Sequence, residues 1–212
     1  MHDVYAPIDR APAVLPGKRI LAIAGSLRRC SWNLLLLEAA AACAPPGMTV
    51  SIYRDLGAVP MFNEDLEQET GGAPEAVKRL RREVSAADGL LFATPEYNQS
   101  LPGVLKNTID WVSRAAPEDV LAGKPVAIMG ATSGRWGTRL AQHALRQTLH
   151  ATECMIMPAP ALYISDAARL FDRSGQLSDE ATGNALQAVL ASLGQLIDRV
   201  RSPEPVGRTL DA

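Results

Sequence analysis

Short apolar runs that alternate with amphipathic helical patterns constrain the fold of this chain more than any other feature. Residues 19–24, 48–53, 88–93, 125–130 and 154–157 read as five β-strands. The first of them is apolar after its first residue, which is typical of a strand covered on both faces. Helical patterns follow the strands, and the cleanest is an apolar stripe over residues 186–200. The alternation predicts an α/β fold with a doubly wound, five-stranded parallel sheet and helices on both faces.

Length and composition predict a single domain. The chain has 212 residues, of which 47% are hydrophobic and 21% charged, and no repeat or linker divides it. The N-terminal segment contains several prolines and has no apolar stretch of the kind found in signal peptides. We therefore expect one domain over residues 18–201, a disordered or ragged tail at residues 1–17, and a C-terminal tail at residues 202–212.

The charge balance and the cysteines exclude several classes of protein. The chain contains 21 Lys and Arg and 23 Asp and Glu, which gives a net charge of −2. A nucleic-acid-binding domain would show a clear basic excess. Membrane spans need roughly 20 apolar residues, and no run approaches that length. Cys30, Cys43 and Cys154 are too dispersed for a disulfide framework or a zinc site. We expect a cytoplasmic protein without metal, nucleic-acid or membrane partners.

The loop after the first predicted strand has the composition of an anion site. It runs from Gly25 into a predicted helix, and it offers the short polar side chains of Ser26, Ser31 and Asn33 beside the cation of Arg28. The helix start adds backbone N–H groups and a partial positive charge. A plain N-cap at Ser31 is the structural alternative. Neither the dinucleotide glycine fingerprint nor a phosphate-loop lysine is present, so a monophosphate such as that of FMN fits best.

Two further loops belong to the same predicted edge of the sheet. Pro95 stiffens the loop after the third strand, where Tyr97 could lie against a planar ring or merely cover the edge of the core. After the fourth strand, Gly134 and Gly137 allow the backbone to approach a ligand closely. Ligands of such sheets bind outside the carboxyl ends of the strands. Together the three loops predict a cradle for FMN.

Two motifs carry a family resemblance. G-S-L-R-x-x-S-x-N at residues 25–33 and T-P-E-Y-N-x-S-x-P-G-x-L-K-N-x-x-D-W at residues 94–111 resemble the NADPH-dependent FMN reductase family, most closely its bacterial chromate and quinone reductase branch. The resemblance implies a flavodoxin-like fold, bound FMN, NADPH or NADH as electron donor, and a homodimer or homotetramer. One departure lies at Arg135-Trp136-Gly137, where that family commonly has a Gly-Gly pair.

The resemblance also implies roles for individual residues. The phosphate and ribityl chain would be surrounded by Ser26, Arg28, Ser31, Trp32 and Asn33. The isoalloxazine would be lined by Pro95, Glu96, Tyr97 and Asn98, with Ser133 and Gly134 at its pyrimidine side. A helix carrying Lys106, Asn107, Asp110 and Trp111 would help to form the dimer, because this mixture suits an interface better than a buried core.

These expectations combine into one function and two alternatives. The chain is interpreted as an oxidoreductase in which FMN takes hydride from NAD(P)H at N5 and passes electrons to quinones or other small acceptors, such as chromate, ferric or azo compounds. No catalytic side chain is expected, because the flavin carries the chemistry. One alternative is a flavodoxin-type electron carrier, which would usually be strongly acidic. The other is a reductase of free flavin that supplies a monooxygenase.

Overall fold

The computed structural model describes residues 17–114 and 119–202. Within these residues, six parallel strands form one sheet: β1 (Lys18–Ala24), β2 (Met48–Tyr53), β3 (Gly89–Ala93), β4 (Pro125–Ala131), β5 (Met155–Ile156) and β6 (Leu162–Ile164). The strand order is β2-β1-β3-β4, and both β5 and β6 pair with β4. The helices are α1 (Trp32–Ala42), α2 (Glu64–Glu69), α3 (Glu75–Ala86), α4 (Gly103–Val112), α5 (Arg139–His150) and α6 (Glu180–Arg201). The predicted α/β class and parallel sheet are confirmed.

The last strand position differs from the prediction. A single strand was expected at residues 154–157, but two short strands occupy the edge of β4, and the second of them was not predicted. Pro158 and Pro160 lie between the two. Proline has no backbone N–H to donate to a ladder, so the strand is interrupted there and resumes after the prolines.

The core consists of two layers on opposite faces of the sheet. In β1, Leu21 and Ile23 face one layer, which contains apolar residues of α3, α4 and α5. Ile20 and Ala22 face the other layer, which is built from α1 and α6. This alternation is the period of two that a strand imposes, and it confirms helices on both faces. Each fully buried large aliphatic side chain contributes about 1.5–3 kcal/mol to this packing.

The boundaries of the domain stay a prediction. Residues 1–16 and 203–212, which make up most of the two expected tails, lie outside the described residues. Among the helices that the structure does describe, none is long and apolar enough to cross a membrane.

Candidate active site

The carboxyl ends of β1, β3 and β4 meet at one edge of the sheet. The N–H of Gly25 donates to the carbonyl of Ala93 at 2.8 Å, and the N–H of Thr94 donates to that of Met129 at 3.0 Å. The loops that follow these strands are therefore held side by side. A cleft of about 420 Å³ opens between the first two loops and the start of α4, lined by Gly25, Ser26, Leu27, Arg28, Tyr97, Pro102, Gly103 and Val104.

The backbone at Gly25, which lines this cleft, is closely packed. A Cβ at Gly25 would lie 3.1 Å from side-chain atoms of both Leu105 and Pro95. The β1 loop consequently passes against the β3 loop and α4 at a distance that a larger residue would disturb.

The β1 loop presents donors without competing carboxylates. The side chain of Ser31 caps α1 by accepting from the N–H of Leu34 at 3.4 Å, as the structural alternative expected. The first turn of α1 contains no acidic residue, and the side chain of Arg28 is exposed beside the cleft. Ser26 Oγ accepts the Arg28 N–H at 3.3 Å and keeps its own proton for another acceptor. This set of one cation, one hydroxyl and a helix start fits a monophosphate.

Two residues predicted for the phosphate site have side chains engaged elsewhere. Asn33 is 2% exposed; its Nδ2 donates to the carbonyl of Ala131, and its Oδ1 accepts the N–H of the same residue, both at 2.9 Å. The Asn33 side chain therefore joins α1 to the end of β4, because an amide matches the donor and acceptor that a strand leaves unpaired at its end. Trp32 stacks on Phe171 with ring centroids 5.8 Å apart. Their backbone N–H groups lie in the first turn of α1, where an anion could accept from them.

The β3 loop is a tight two-residue turn that places Tyr97 at the rim of the cleft. Tyr97 and Ser100 exchange backbone hydrogen bonds at 3.1 and 3.0 Å around Asn98 and Gln99, which have φ angles of 50° and 62°. Positive φ at both central residues defines a type I′ turn. The Tyr97 side chain is 49% exposed. Half of its surface is therefore open, and its position suits contact with a planar ring.

Glu96 has a structural role that the sequence did not suggest. Its Oε2 accepts the N–H groups of Leu140 and Ala141 at 2.9 and 3.1 Å. The N-cap residue of α5, Thr138, makes no side-chain capping bond. The Glu96 carboxylate therefore caps α5 and fixes the β3 loop to the start of that helix. Whether its backbone contacts a ring stays a prediction.

The β4 loop is exposed at Ser133 and Gly134, the two residues predicted for the pyrimidine side. The N–H of Gly134 donates to Thr132 Oγ1 at 3.1 Å, and its carbonyl accepts from the N–H of Asp166 at 3.3 Å. Gly130, at the end of β4, was not singled out from the sequence. A Cβ there would overlap both the Thr138 side chain and the Thr94 carbonyl oxygen, so this position requires glycine.

The prediction that Trp111 suits an interface better than a core is wrong. Trp111 is 1% exposed, and its Nε1–H donates to the carbonyl of Pro60 at 2.8 Å. Asn107 is also buried, donating to the same carbonyl at 2.8 Å and accepting from the N–H of Phe62 at 2.7 Å. Both side chains hold a loop of their own chain. On the outer face of α4, Lys106 pairs with Asp110.

The buried groups with shifted pKa values lie at the opposite edge of the sheet. Burial lowers the pKa of Lys124, which precedes β4, and burial raises the pKa of the Cys154 thiol, which precedes β5. Neither group faces the cleft. In the part of the chain that the structure describes, no three His, Cys, Asp or Glu side chains form a group able to hold a metal ion.

Comparison with known proteins identifies the family of this chain. The family model for NADPH-dependent FMN reductases matches residues 18–169. An NAD(P)H-dependent FMN reductase of Pseudomonas aeruginosa is 45% identical over 183 residues, which cover 86% of this chain and 97% of that protein. A quinone reductase of Escherichia coli is 35% identical over 184 residues, with the same coverage. The structure of a flavoenzyme NAD(P)H:(acceptor) oxidoreductase from Paracoccus denitrificans superposes with a TM-score of 0.78 at 33% identity, covering 86% of this chain and 98% of that one. The chain belongs to the NADPH-dependent FMN reductase family.

Proposed function

We propose that this protein is an NAD(P)H:quinone oxidoreductase that works with bound FMN. The observation that carries the proposal is the cleft lined by both Arg28, from the loop that leads into α1, and Tyr97, from the β3 loop. The relatives named as FMN reductase and as quinone reductase, at 45% and 35% identity, support the same activity.

The phosphate of FMN would be held by the β1 loop. Arg28 supplies the positive charge, Ser26 supplies a hydroxyl, and the first turn of α1 supplies N–H groups that have no partner within the helix. A charge-assisted hydrogen bond is worth about 1.5–3 kcal/mol. Anchoring the phosphate at this loop would direct the rest of the molecule across the carboxyl edge toward β3 and β4.

The ring would be positioned by the β3 and β4 loops. Tyr97 stands on a turn that is fixed by two backbone hydrogen bonds, and Pro95 stiffens the segment before it. Ser133 and Gly134 lie on the neighbouring loop. FMN supplies the acceptance and release of hydride, and the chain's residues bind it, orient it and leave one face open to small molecules.

A single open face has a kinetic consequence. Donor and acceptor would occupy the same surface in turn, so the oxidised product NAD(P)⁺ would leave before the quinone binds. The steady-state pattern expected for this order is a ping-pong scheme with parallel double-reciprocal lines.

Exposed apolar side chains, one of them in the cleft, support a homodimer or homotetramer. Leu27 and Met61 are both largely exposed, and Leu27 lines the cleft together with Tyr97. Large apolar groups exposed beside a site are typical of interfaces.

Free cysteines at all three positions support a reducing compartment such as the cytoplasm.

The experiment that tests this function measures the rate of NADPH oxidation at several concentrations of benzoquinone, using protein that has passed through gel filtration. Parallel lines with FMN retained on the protein are the expected result. Loss of FMN on the column with activity only on added flavin would favour a free-flavin reductase. If FMN is retained but NADPH is not oxidised, the protein would instead be a flavodoxin-type electron carrier.

A further inference from the structure

Two arginine–aromatic pairs lie at the carboxyl edge beyond the β4 loop. The guanidinium carbon of Arg135 is 4.8 Å from the centroid of the Trp136 ring, and that of Arg139 is 5.0 Å from the Tyr163 ring. Gly137, which follows the first pair, packs directly against Tyr163 of the second pair. A Cβ at Gly137 would lie 3.0 Å from the Tyr163 backbone. Its φ of 64° also lies in the left-handed region that favours glycine. We call Arg135, Trp136, Arg139 and Tyr163 the arginine–aromatic patch.

The folded core does not account for this patch. Trp136 is 64% exposed although Arg135 covers part of it. Within residues 17–114 and 119–202, neither Arg135 nor Arg139 forms an ion pair with a carboxylate. Arg146, further along the same helix, instead donates to a backbone carbonyl at 2.9 Å. The patch thus combines an exposed indole with two arginines that form no ion pair among the described residues, and these groups are suited to binding a planar base that carries phosphate.

The patch adjoins the proposed ring site. The residue after Arg139 donates its N–H to Glu96 at 2.9 Å, and Glu96 precedes Tyr97. At the sheet edge, β6 is two strand positions from β3, roughly 10 Å. An extended dinucleotide is longer than this, so a molecule with one end at the Tyr97 loop can place its other end at the patch.

Resting on the proposed function, we propose that the arginine–aromatic patch binds the adenosine half of the nicotinamide donor and selects the donor that carries a 2′-phosphate. Trp136 stacks on the adenine, and the guanidinium groups of Arg135 and Arg139 bind the 2′-phosphate, whose oxygens match their planar donor geometry. NADH differs from NADPH only in lacking this phosphate. It therefore loses the arginine contacts and keeps the stacking contact.

The test uses adenosine 2′,5′-bisphosphate and 5′-AMP as probes, titrated by calorimetry into the FMN-loaded protein. The wild type should bind the bisphosphate at least tenfold more tightly than 5′-AMP. The R135A/R139A double variant should remove that difference, and W136A should weaken both probes by a similar factor of roughly ten. R199A is the matched control, because it removes an exposed arginine near the end of α6, at the amino edge of the sheet, and it should change neither affinity.

Anaerobic reduction by NADPH and NADH gives the second readout. R135A/R139A should raise the concentration of NADPH needed for half-maximal reduction at least tenfold, leave the NADH value within threefold, and leave the limiting rate unchanged. Equal loss for both donors, or no loss for either, would overturn the selection of the 2′-phosphate. If W136A has a smaller mass in light scattering than the wild type but an unchanged affinity for both probes, the proposal is also overturned. The patch would then form contacts between copies of the chain.

The two proposals fail in distinguishable ways. The calorimetric titration requires no electron transfer, so a protein that binds the bisphosphate but is reduced by neither donor would refute the proposed function alone. A protein that both donors reduce, but that binds bisphosphate and 5′-AMP equally, would refute the patch alone.

Discussion

Replacement of Asn33 by alanine should destabilise the fold whether or not FMN is present. The Asn33 side chain satisfies both the N–H and the carbonyl of Ala131, a residue that is itself buried. N33A leaves these two groups without partners, and each buried unsatisfied group costs about 1–3 kcal/mol. With partial relaxation we expect the free energy of unfolding to fall by about 2–5 kcal/mol, a large fraction of the roughly 5–15 kcal/mol typical of a domain.

The assay is urea unfolding of the FMN-free protein followed by circular dichroism. For a chain of this size the expected loss lowers the unfolding midpoint by roughly 1–2 M urea. R28A is the matched control: its exposed side chain should leave the midpoint unchanged, whereas the FMN dissociation constant rises at least tenfold. An N33A protein with the wild-type midpoint and weakened FMN binding would refute this reasoning, because Asn33 would then be a phosphate ligand and not a structural link.

Three further substitutions test other contacts. Glu96→Ala removes the acceptor for two N–H groups at the start of α5 and should lower the free energy of unfolding by about 0.5–2 kcal/mol in urea; an unchanged value would contradict the capping role. Trp111→Phe should lower the free energy of unfolding by about 1 kcal/mol, because the indole hydrogen bond is lost, and should leave the mass in light scattering unchanged. Dissociation of the variant into smaller species would show that Trp111 lies at an interface between copies of the chain. Burial would raise the pKa of Asp88, but bonds from the Arg19 N–H and the Arg201 side chain hold it below its ordinary value. The ionised Asp88 carboxylate therefore contributes to the free energy of unfolding, fully above about pH 4 and less as the pH falls through its folded-state pKa. In the Asp88→Asn variant, the free energy of unfolding measured in urea should depend less on pH in the acid range.

The sequence predicted the sheet well where burial alone determines the pattern. Strands β1, β3 and β4 are largely buried on both faces, and their continuous apolar runs show this directly. The outer strand β2 alternates instead, with Thr49 and Ser51 exposed. The edge strand was harder to predict because its pairing is interrupted by Pro158 and Pro160 and resumes in a three-residue segment. So short a strand has no periodicity to detect.

Side-chain roles were predictable only where their partners are local. Ser31 caps its own helix, three residues from its donor, and the sequence allowed for that. Asn33 and Glu96 instead bond to backbone groups 98 and 44 residues away, which no local pattern reveals. Trp111 was misjudged because Lys106 and Asp110 on the same helix are polar, although those side chains pair on the outer face while the indole points into the core.

The central claim is that a nicotinamide donor reduces FMN held by this protein. The most direct measurement is anaerobic stopped-flow mixing of the purified yellow protein with NADPH or NADH in the absence of any acceptor. We predict that the flavin absorbance disappears rapidly with at least one donor and returns when benzoquinone is added. If neither donor bleaches the bound flavin, the protein is not an NAD(P)H oxidoreductase, and the site serves electron transfer without nicotinamide turnover.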